Sequence, residues 1–235
     1  MKLVSKWHQV YKNPKKHEEI VKYEDSNNII IKELKKICKL DDKIVLDLGA
    51  GTGRQTVIYS KIAKKVYAVD PSKENIKFLK SKQIANIIPK LGKAEKIPLK
   101  NNTADIAIST FSIASGLVDK DKTIKEILRV VKPKGKIIIV DAYYKGELID
   151  IWRTHSDRDV AGWMYNGFLR IQDMYNFKIK IIETSWEFPT VKKAAEIFGY
   201  LLSGTTKRYI INNKKKKIKM KVFIAYGEKN GQRLL

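Results

Sequence analysis

The stretch of this chain best equipped for chemistry is Val45-Leu46-Asp47-Leu48-Gly49-Ala50-Gly51-Thr52-Gly53-Arg54. It reads as an apolar run of strand length, a turn with glycine at alternate positions, and the start of an amphipathic stretch. Glycine lets the backbone turn sharply and lets a ligand approach it without a Cβ in the way. The next apolar run ends in Asp70, 23 residues after Asp47. In a parallel sheet the two carboxylates stand at the carboxyl ends of adjacent strands, where ligands bind, and the second can accept hydrogen bonds from both hydroxyls of an adenosine ribose. A dinucleotide fingerprint, G-x-G-x-x-G/A, needs Gly or Ala at its third fixed position; counted from Gly49, that position is Arg54. Asp47, two residues before the first glycine, would repel a pyrophosphate but attracts the ammonium and sulfonium end of an amino-acid-bearing cofactor.

These residues need a frame. Val- and Ile-rich runs at 43–48, 65–70, 87–91, 104–110 and 136–141 predict strands, and amphipathic stretches at 53–63, 72–83 and 121–131 predict the helices between them. In the last of these, Ile124, Ile127, Leu128 and Val131 fall at helical spacing, and Pro133 and Gly135 stop it. The alternation implies an α/β, Rossmann-like, doubly wound sheet of seven strands, mostly parallel, with helices on both faces. Ahead of it, Asn13-Pro14 is a helix start, and Ile30, Leu34, Ile37 and Cys38 form a helical stripe. Beyond Asp141 the rhythm changes: helical at 157–175, strand-like at 178–188, helical at 191–202, and a last strand at 220–226. Two late strands around an insert predict an antiparallel pair at the sheet edge. The division expected is one domain, with a helical flank or lid at 1–42, a ligand-binding core at 43–141, and substrate-side helices with the strand pair at 142–235. Lys214 to Lys217, the one low-complexity patch, reads as a solvated connection.

Residues 45–54 resemble motif I of the class I S-adenosylmethionine-dependent methyltransferases, and Val66-Tyr67-Ala68-Val69-Asp70-Pro71-Ser72 resembles their ribose-binding motif. Gly92-Lys93-Ala94-Glu95-Lys96-Ile97-Pro98-Leu99 followed by Asp105 is similar to the adenine-contacting stretch of the type 11 branch, which includes ubiquinone and menaquinone methyltransferases. Glu126-Ile127-Leu128-Arg129-Val130-Val131-Lys132-Pro133-Lys134-Gly135 resembles that branch's E-x-x-R-V-L-K-P-G-G element. The resemblance implies S-adenosylmethionine as cofactor, S-adenosylhomocysteine as product, and no metal. Position by position it assigns Asp47, Gly49, Ala50, Gly51, Thr52 and Gly53 to the methionine end. It gives the ribose to Asp70, the flanks of the adenine to Pro71 and Ser72, and the adenine amino edge to Ala94 and Glu95. Thr110 and Phe111 would lie beside the sulfonium. On the residues alone, the alternative for Asp70 is a helix N-terminal carboxylate beside Ser72, and for Glu95 a solvated charge.

Many members of that branch carry His soon after the fourth strand; here the place reads Ser112-Ile113-Ala114-Ser115-Gly116, without a titratable group. A general base must come from elsewhere, or the acceptor needs none, since methyl transfer from a sulfonium can be carried by alignment and desolvation. His155 is the candidate base, as imidazole titrates nearest neutral pH; a packing or surface histidine is the alternative. Tyr11, Tyr23, Tyr143 and Trp152 are candidates for binding the acceptor, with Tyr144, Trp186 and Tyr200 also available. Arg54 either faces the substrate or sits on the first turn of its helix.

Across 235 residues, 43% hydrophobic and 9% aromatic, the composition is that of a globular chain. Lys and Arg total 48 against 25 Asp and Glu, a formal +23, and only seven of the basic residues are Arg. Such an excess suits a polyanion partner, but Lys spread evenly is a poor substitute for the Arg fork in phosphate and base recognition, and genome composition produces the same bias. Cys38 is alone, so a disulfide or cysteine metal site within one chain is excluded. The expected locale is cytoplasmic, with no membrane span. The expected activity is in-line methyl transfer to a small molecule or lipid-like metabolite. A nucleic-acid methyltransferase is the first alternative: the Asn/Asp-Pro-Pro-aromatic element is absent after the fourth strand, and Cys38 precedes the glycine turn. A non-catalytic protein that binds the same cofactor is the second.

Overall fold

A computed structural model describes residues 9–114, 118–154, 160–174 and 176–229. Its sheet holds β1 (Ile44–Leu48), β2 (Lys65–Asp70), β3 (Ile87–Leu91), β4 (Ala104–Thr110), β5 (Val131–Ala142), β6 (Lys178–Glu187) and β7 (Lys217–Glu228). The spatial order is β3-β2-β1-β4-β5-β7-β6. The first five strands are parallel, and β7 runs antiparallel to β5 on one side and to β6 on the other. The chain steps outward from β1 to β3, then returns to β4 on the other side of β1. The β1/β4 boundary is therefore the switch point at whose carboxyl edge a crevice opens.

The helices are α1 (Pro14–Val21), α2 (Ile29–Ile37), α3 (Arg54–Ser60), α4 (Lys73–Ser81), α5 (Lys120–Val130), α6 (Glu147–Thr154), α7 (Val160–Met174), α8 (Val191–Leu201) and α9 (Gly204–Asn212). Asn13 caps α1 by accepting the Lys16 N–H, with Pro14 at the first helical position. The sheet separates two apolar cores. One gathers Ile30, Leu34, Val45, Tyr59, Phe198 and Ile224, the other Leu46, Ile124, Ile127, Ile139, Phe168 and Phe223. Alternate residues of β1 and β5 go to opposite faces, so both faces are covered, as the apolar runs require.

Three parts differ from the sequence reading. β5 begins at Val131 rather than 136, because α5 ends directly in extended chain; a register shift at Ala104/Ile106 absorbs Pro133 to Gly135, with Lys134 at φ 61°. β7 is longer than 220–226, since ten residues of β6 pair with it; Lys217 thereby joins the strand opposite Glu187, and Lys215 pairs with Glu147 at 2.6 Å, so this lysine patch is partly engaged. Helices α6 and α9 were not expected. α6 buries Leu148, Ile149, Ile151 and Trp152, and α9 is capped by the Ser203 hydroxyl accepting the Thr206 N–H. Among the described residues no helix is long and apolar enough to cross a membrane.

Candidate functional site

The turn after β1 is held by β2: the N–H groups of Gly49 and Ala50 both donate to the Val69 carbonyl, at 2.8 and 3.1 Å. Gly49, Gly51 and Gly53 have φ of 79°, 55° and 90°, the left-handed region that favours glycine. At Gly49 space adds a second requirement, for a Cβ there would stand 1.9 Å from Ser112 Oγ. The turn opens directly into α3, whose first residue is Arg54.

Two strand-end carboxylates flank the turn. Asp47 is 2% exposed and accepts the Thr56 hydroxyl at 2.5 Å. Burial pushes its pKa up to about 7, Asp70 adds to the rise, and Thr56 and Arg54 oppose it. Asp70, also buried, accepts the Gly51 N–H at 2.8 Å and the Ser72 N–H at 2.9 Å, with Asn75 Nδ2 at 3.5 Å. Burial raises its pKa as well, against those hydrogen bonds. It thus stitches the glycine turn to the start of α4, where Ser72 caps the helix by accepting the Asn75 N–H. At the end of β4, Thr110 meets the Tyr59 hydroxyl at 3.1 Å. Phe111 has φ 53°, a strained conformation for a bulky residue, fixed by its N–H on the Val140 carbonyl. Ala94 packs beside the second core, and Glu95 accepts the Asp119 N–H at 3.2 Å.

The amino-terminal segment closes over this edge. His17 of α1 is buried, its Nδ1 lies 3.0 Å from Thr52 Oγ1, and its ring packs against Tyr11 in a tilted arrangement, 4.9 Å between centroids. Burial lowers the His17 pKa to about 4, with Arg54 adding to the effect, so it is neutral at pH 7. The Tyr11 hydroxyl faces Asp70, Glu24 and Asp141; burial first and these charges next raise its pKa. Arg54 donates to the Glu24 carboxylate at 2.8 Å and to the Glu24 carbonyl at 3.1 Å. A cation on the first turn of a helix opposes the helix dipole, and the bond to Glu24 offsets that. Burial pushes the Glu24 pKa up to about 7 despite Arg54, and Asp25 and Asp141 push the same way. Asp25 accepts the Ile29 and Ile30 N–H groups and the Thr184 hydroxyl.

The sign of this edge is the reverse of the protein's. A chain of formal charge +23 brings Glu24, Asp25, Asp47, Asp70 and Asp141 to the carboxyl ends of its central strands. Among the described residues Arg54 faces Glu24 and Asp47, and Lys120 faces Asp141. Carboxylates held above their ordinary pKa by burial, as Glu24, Asp47 and Asp70 are, are stabilised in their charged form by an arriving cation.

Of the residues proposed for the acceptor, Tyr11 and Arg54 lie at this edge. Tyr23 packs on Phe188 at 4.8 Å, against the first core. Tyr143 contacts the Tyr144 hydroxyl at 3.3 Å and Phe168 edge-on, and Trp152 sits with Ile149 and Met164, its indole N–H buried without a partner among the described residues. Trp186 is core, and Tyr200 is exposed with Lys16 5.6 Å from its ring. His155 lies outside the described residues. Burial holds the Cys38 thiol up at about 11, unsuited to act as a nucleophile. Sequence reasoning missed His17, Glu24 and Asp141. For Asp141 a signal existed, since it ends its apolar run as Asp47 and Asp70 end theirs. For Glu24 there was none: its place depends on a β-bridge to Trp186.

Residues 46–139 match the sequence profile of the family described as Methyltransferase domain. The chain is 29% identical over 126 residues to "Uncharacterized methyltransferase YcgJ" of Bacillus subtilis, covering 52% of this chain and 49% of that one. It is 30% identical over 100 residues to "Ubiquinone/menaquinone biosynthesis C-methyltransferase UbiE" of Rubrivivax gelatinosus, covering 41% and 38%. The chain thus spans about half or less of these relatives' length. Its fold is similar to a solved structure titled a SAM-dependent methyltransferase from Aquifex aeolicus, with TM-score 0.56 and 20% identity over 84% of this chain and 88% of that one.

Proposed function

We propose, from the premise that residues 46–139 form a methyltransferase domain of the type 11 family, that the protein transfers the methyl group of S-adenosylmethionine to a small-molecule or lipid-like acceptor. The observation that carries this reading is the buried acidic edge of a strongly basic protein, which suits a ligand bearing a sulfonium and an ammonium and opposes a pyrophosphate. Asp47, Gly49, Ala50, Gly51, Thr52 and Gly53 would hold its methionine end, and Asp70 its ribose. Pro71 and Ser72 would flank the adenine, Ala94 and Glu95 would read its amino edge, and Thr110 and Phe111 would lie beside the sulfur. When bound, the cofactor supplies a methyl group already activated on a cationic sulfur. The protein's own work is to exclude water with α1 and to align the acceptor. Tyr11 and Arg54 would contact the acceptor at this edge.

The lipid-like acceptor draws support from the name of the UbiE relative. A nucleic-acid acceptor is favoured by the lysine excess, and Lys39, Lys43, Lys132, Lys134 and Lys136 do line one cavity of about 310 Å³. That cavity lies at the amino ends of β1, β4 and β5, across the sheet from Asp47 and Asp70. Incubating the protein with methyl-labelled S-adenosylmethionine and an extract of its source, then separating nucleic acid, protein and small-molecule or lipid fractions, tests the choice. Label is expected in the last fraction. Label in RNA would replace this reading, and cofactor binding with no labelled fraction would leave a non-catalytic binding protein.

A further inference from the structure

The methyltransferase reading leaves without a role a mostly buried glutamate, contributed by the segment ahead of the sheet, at the edge where transfer would occur. We propose that Glu24 takes the acceptor's proton during methyl transfer, with Arg54 fixing its carboxylate in place; this rests on the methyltransferase reading.

The geometry isolates Glu24 from its neighbours. Its backbone is strapped to β6 by the bridge to Trp186 and by the Glu187 N–H on the Tyr23 carbonyl at 3.0 Å. Arg54 clamps the residue twice, donating to its backbone carbonyl and to Oε2 of its side chain. Oε1 makes no hydrogen bond among the described residues, and the side chain is 11% exposed. The charged and titratable groups facing it are Arg54 of α3, Asp25 of its own segment, Asp141 at the end of β5, and Tyr11 ahead of α1.

The other groups at this edge are unsuited to the task. Asp47 is committed to Thr56, Asp70 to three donors and Asp25 to the Ile29 and Ile30 N–H groups and the Thr184 hydroxyl, and Asp141 accepts the Ala142 N–H at 2.8 Å. Neutral His17 has its Nδ1 tied to Thr52, and the Tyr11 hydroxyl holds its proton too firmly. Burial places Glu24 at about 7, near the optimum for a base working at neutral pH.

In the step proposed, a bond forms between the acceptor's nucleophilic atom and the methyl carbon. The carbon–sulfur bond breaks with its electron pair on sulfur, and the acceptor's N–H, O–H or C–H proton passes to Glu24 Oε1. The acceptor class is a neutral or cationic molecule carrying such a proton, since Glu24 and Asp141 oppose an anion.

Two measurements test this, with E24Q, which keeps an oxygen for Arg54, and E24D, which keeps the charge. The first needs no acceptor: calorimetry of S-adenosylmethionine binding at pH 7 in two buffers of different ionisation enthalpy counts the protons released. The arriving cation draws protons from Glu24 and Asp47, whose midpoints lie at about 7, so E24Q is expected to release about half the protons that wild type does and to bind about five- to tenfold more weakly, since the charge that a cation ionises also attracts it. Equal release by wild type and E24Q overturns the proposal. Failure of wild type to bind S-adenosylmethionine at all overturns the methyltransferase reading beneath it. The second follows label transfer to whichever extract compound wild type methylates, from pH 5.5 to 9. E24Q is expected to be slower by about 100-fold or more and to lose the limb that rises below pH 7, where the bound cation moves the Glu24 midpoint, with E24D between. An unchanged rate and profile in E24Q, with loss on His155→Gln, assigns the proton to His155 instead.

Discussion

Replacing Asp47 by Asn should move stability and ligand affinity in opposite directions. In the ligand-free protein Asp47 is buried and its pKa stands at about 7, against 3.8 for the free side chain. The stability this raised pKa contributes is fully present below pH 3.8 and is lost as pH rises through 7. A difference of about three units corresponds to roughly 4 kcal/mol of destabilisation by the ionised carboxylate at pH 8, at about 1.4 kcal/mol per unit. Asn is neutral and nearly isosteric and can still accept from Thr56, but its amide N–H groups need partners, at about 1–3 kcal/mol. The net expectation is a gain of about 2 kcal/mol at pH 8, or about 4–8 °C in Tm for a chain of this size. The gain should shrink as pH falls through 7 and be absent below about 4, where Asp47 is protonated in both states. Meanwhile S-adenosylmethionine binding should weaken about 100-fold, from loss of a few kcal/mol of charge pairing. Paired urea melts of wild type and variant at pH 8 and pH 5, with calorimetry, measure both effects. Destabilisation at pH 8, or an equal gain at both pH values, would refute the electrostatic account of the site.

Three further outcomes follow from the geometry. Asp70→Ala should weaken S-adenosylmethionine binding by a few kcal/mol through two lost charge-assisted hydrogen bonds; unchanged affinity in a folded variant would contradict its ribose role. Gly49→Ala should destabilise by more than about 2 kcal/mol and abolish binding, since φ is 79° and the new methyl meets Ser112; a melt indistinguishable from wild type would show that the turn adjusts. His17, with pKa lowered to about 4, contributes stability present above 6.5 and lost as pH falls through 4. Amide exchange in α1 should therefore quicken between pH 6.5 and 4 beyond its intrinsic pH trend, and His17→Phe should lack that excess.

The parts legible in the sequence were those built from local chemistry. β2 and β4 ended where their apolar runs ended, because both faces of these strands are largely buried, and the half-buried edge strand β3 ended with its run as well. Asn13-Pro14 started a helix as capping requires. The G-x-G-x-G turn and Asp70 were visible because a sharp turn and a strand-end carboxylate each carry a short-range signature. Helix α9 escaped notice because its sequence, GTTKRYIIN, has only Thr206 and Ile210 to bury. Of the aromatic residues expected around the acceptor, Tyr23 packs against the first core and Trp186 lies within it, where large apolar side chains are most often needed.

The sequence by itself determined the doubly wound sheet, the glycine turn and the pair of carboxylates beside it, since these follow from periodicity and from spacing along one stretch of chain. Only the tertiary structure decided what faces them. Glu24 reaches the edge through a bridge to a strand 162 residues further on, His17 through the packing of α1, and Asp141 through the register of β5 on β4. The raised pKa of Glu24 and the lowered pKa of His17 come from burial among groups distant in sequence, a property of the folded surroundings that no local pattern encodes.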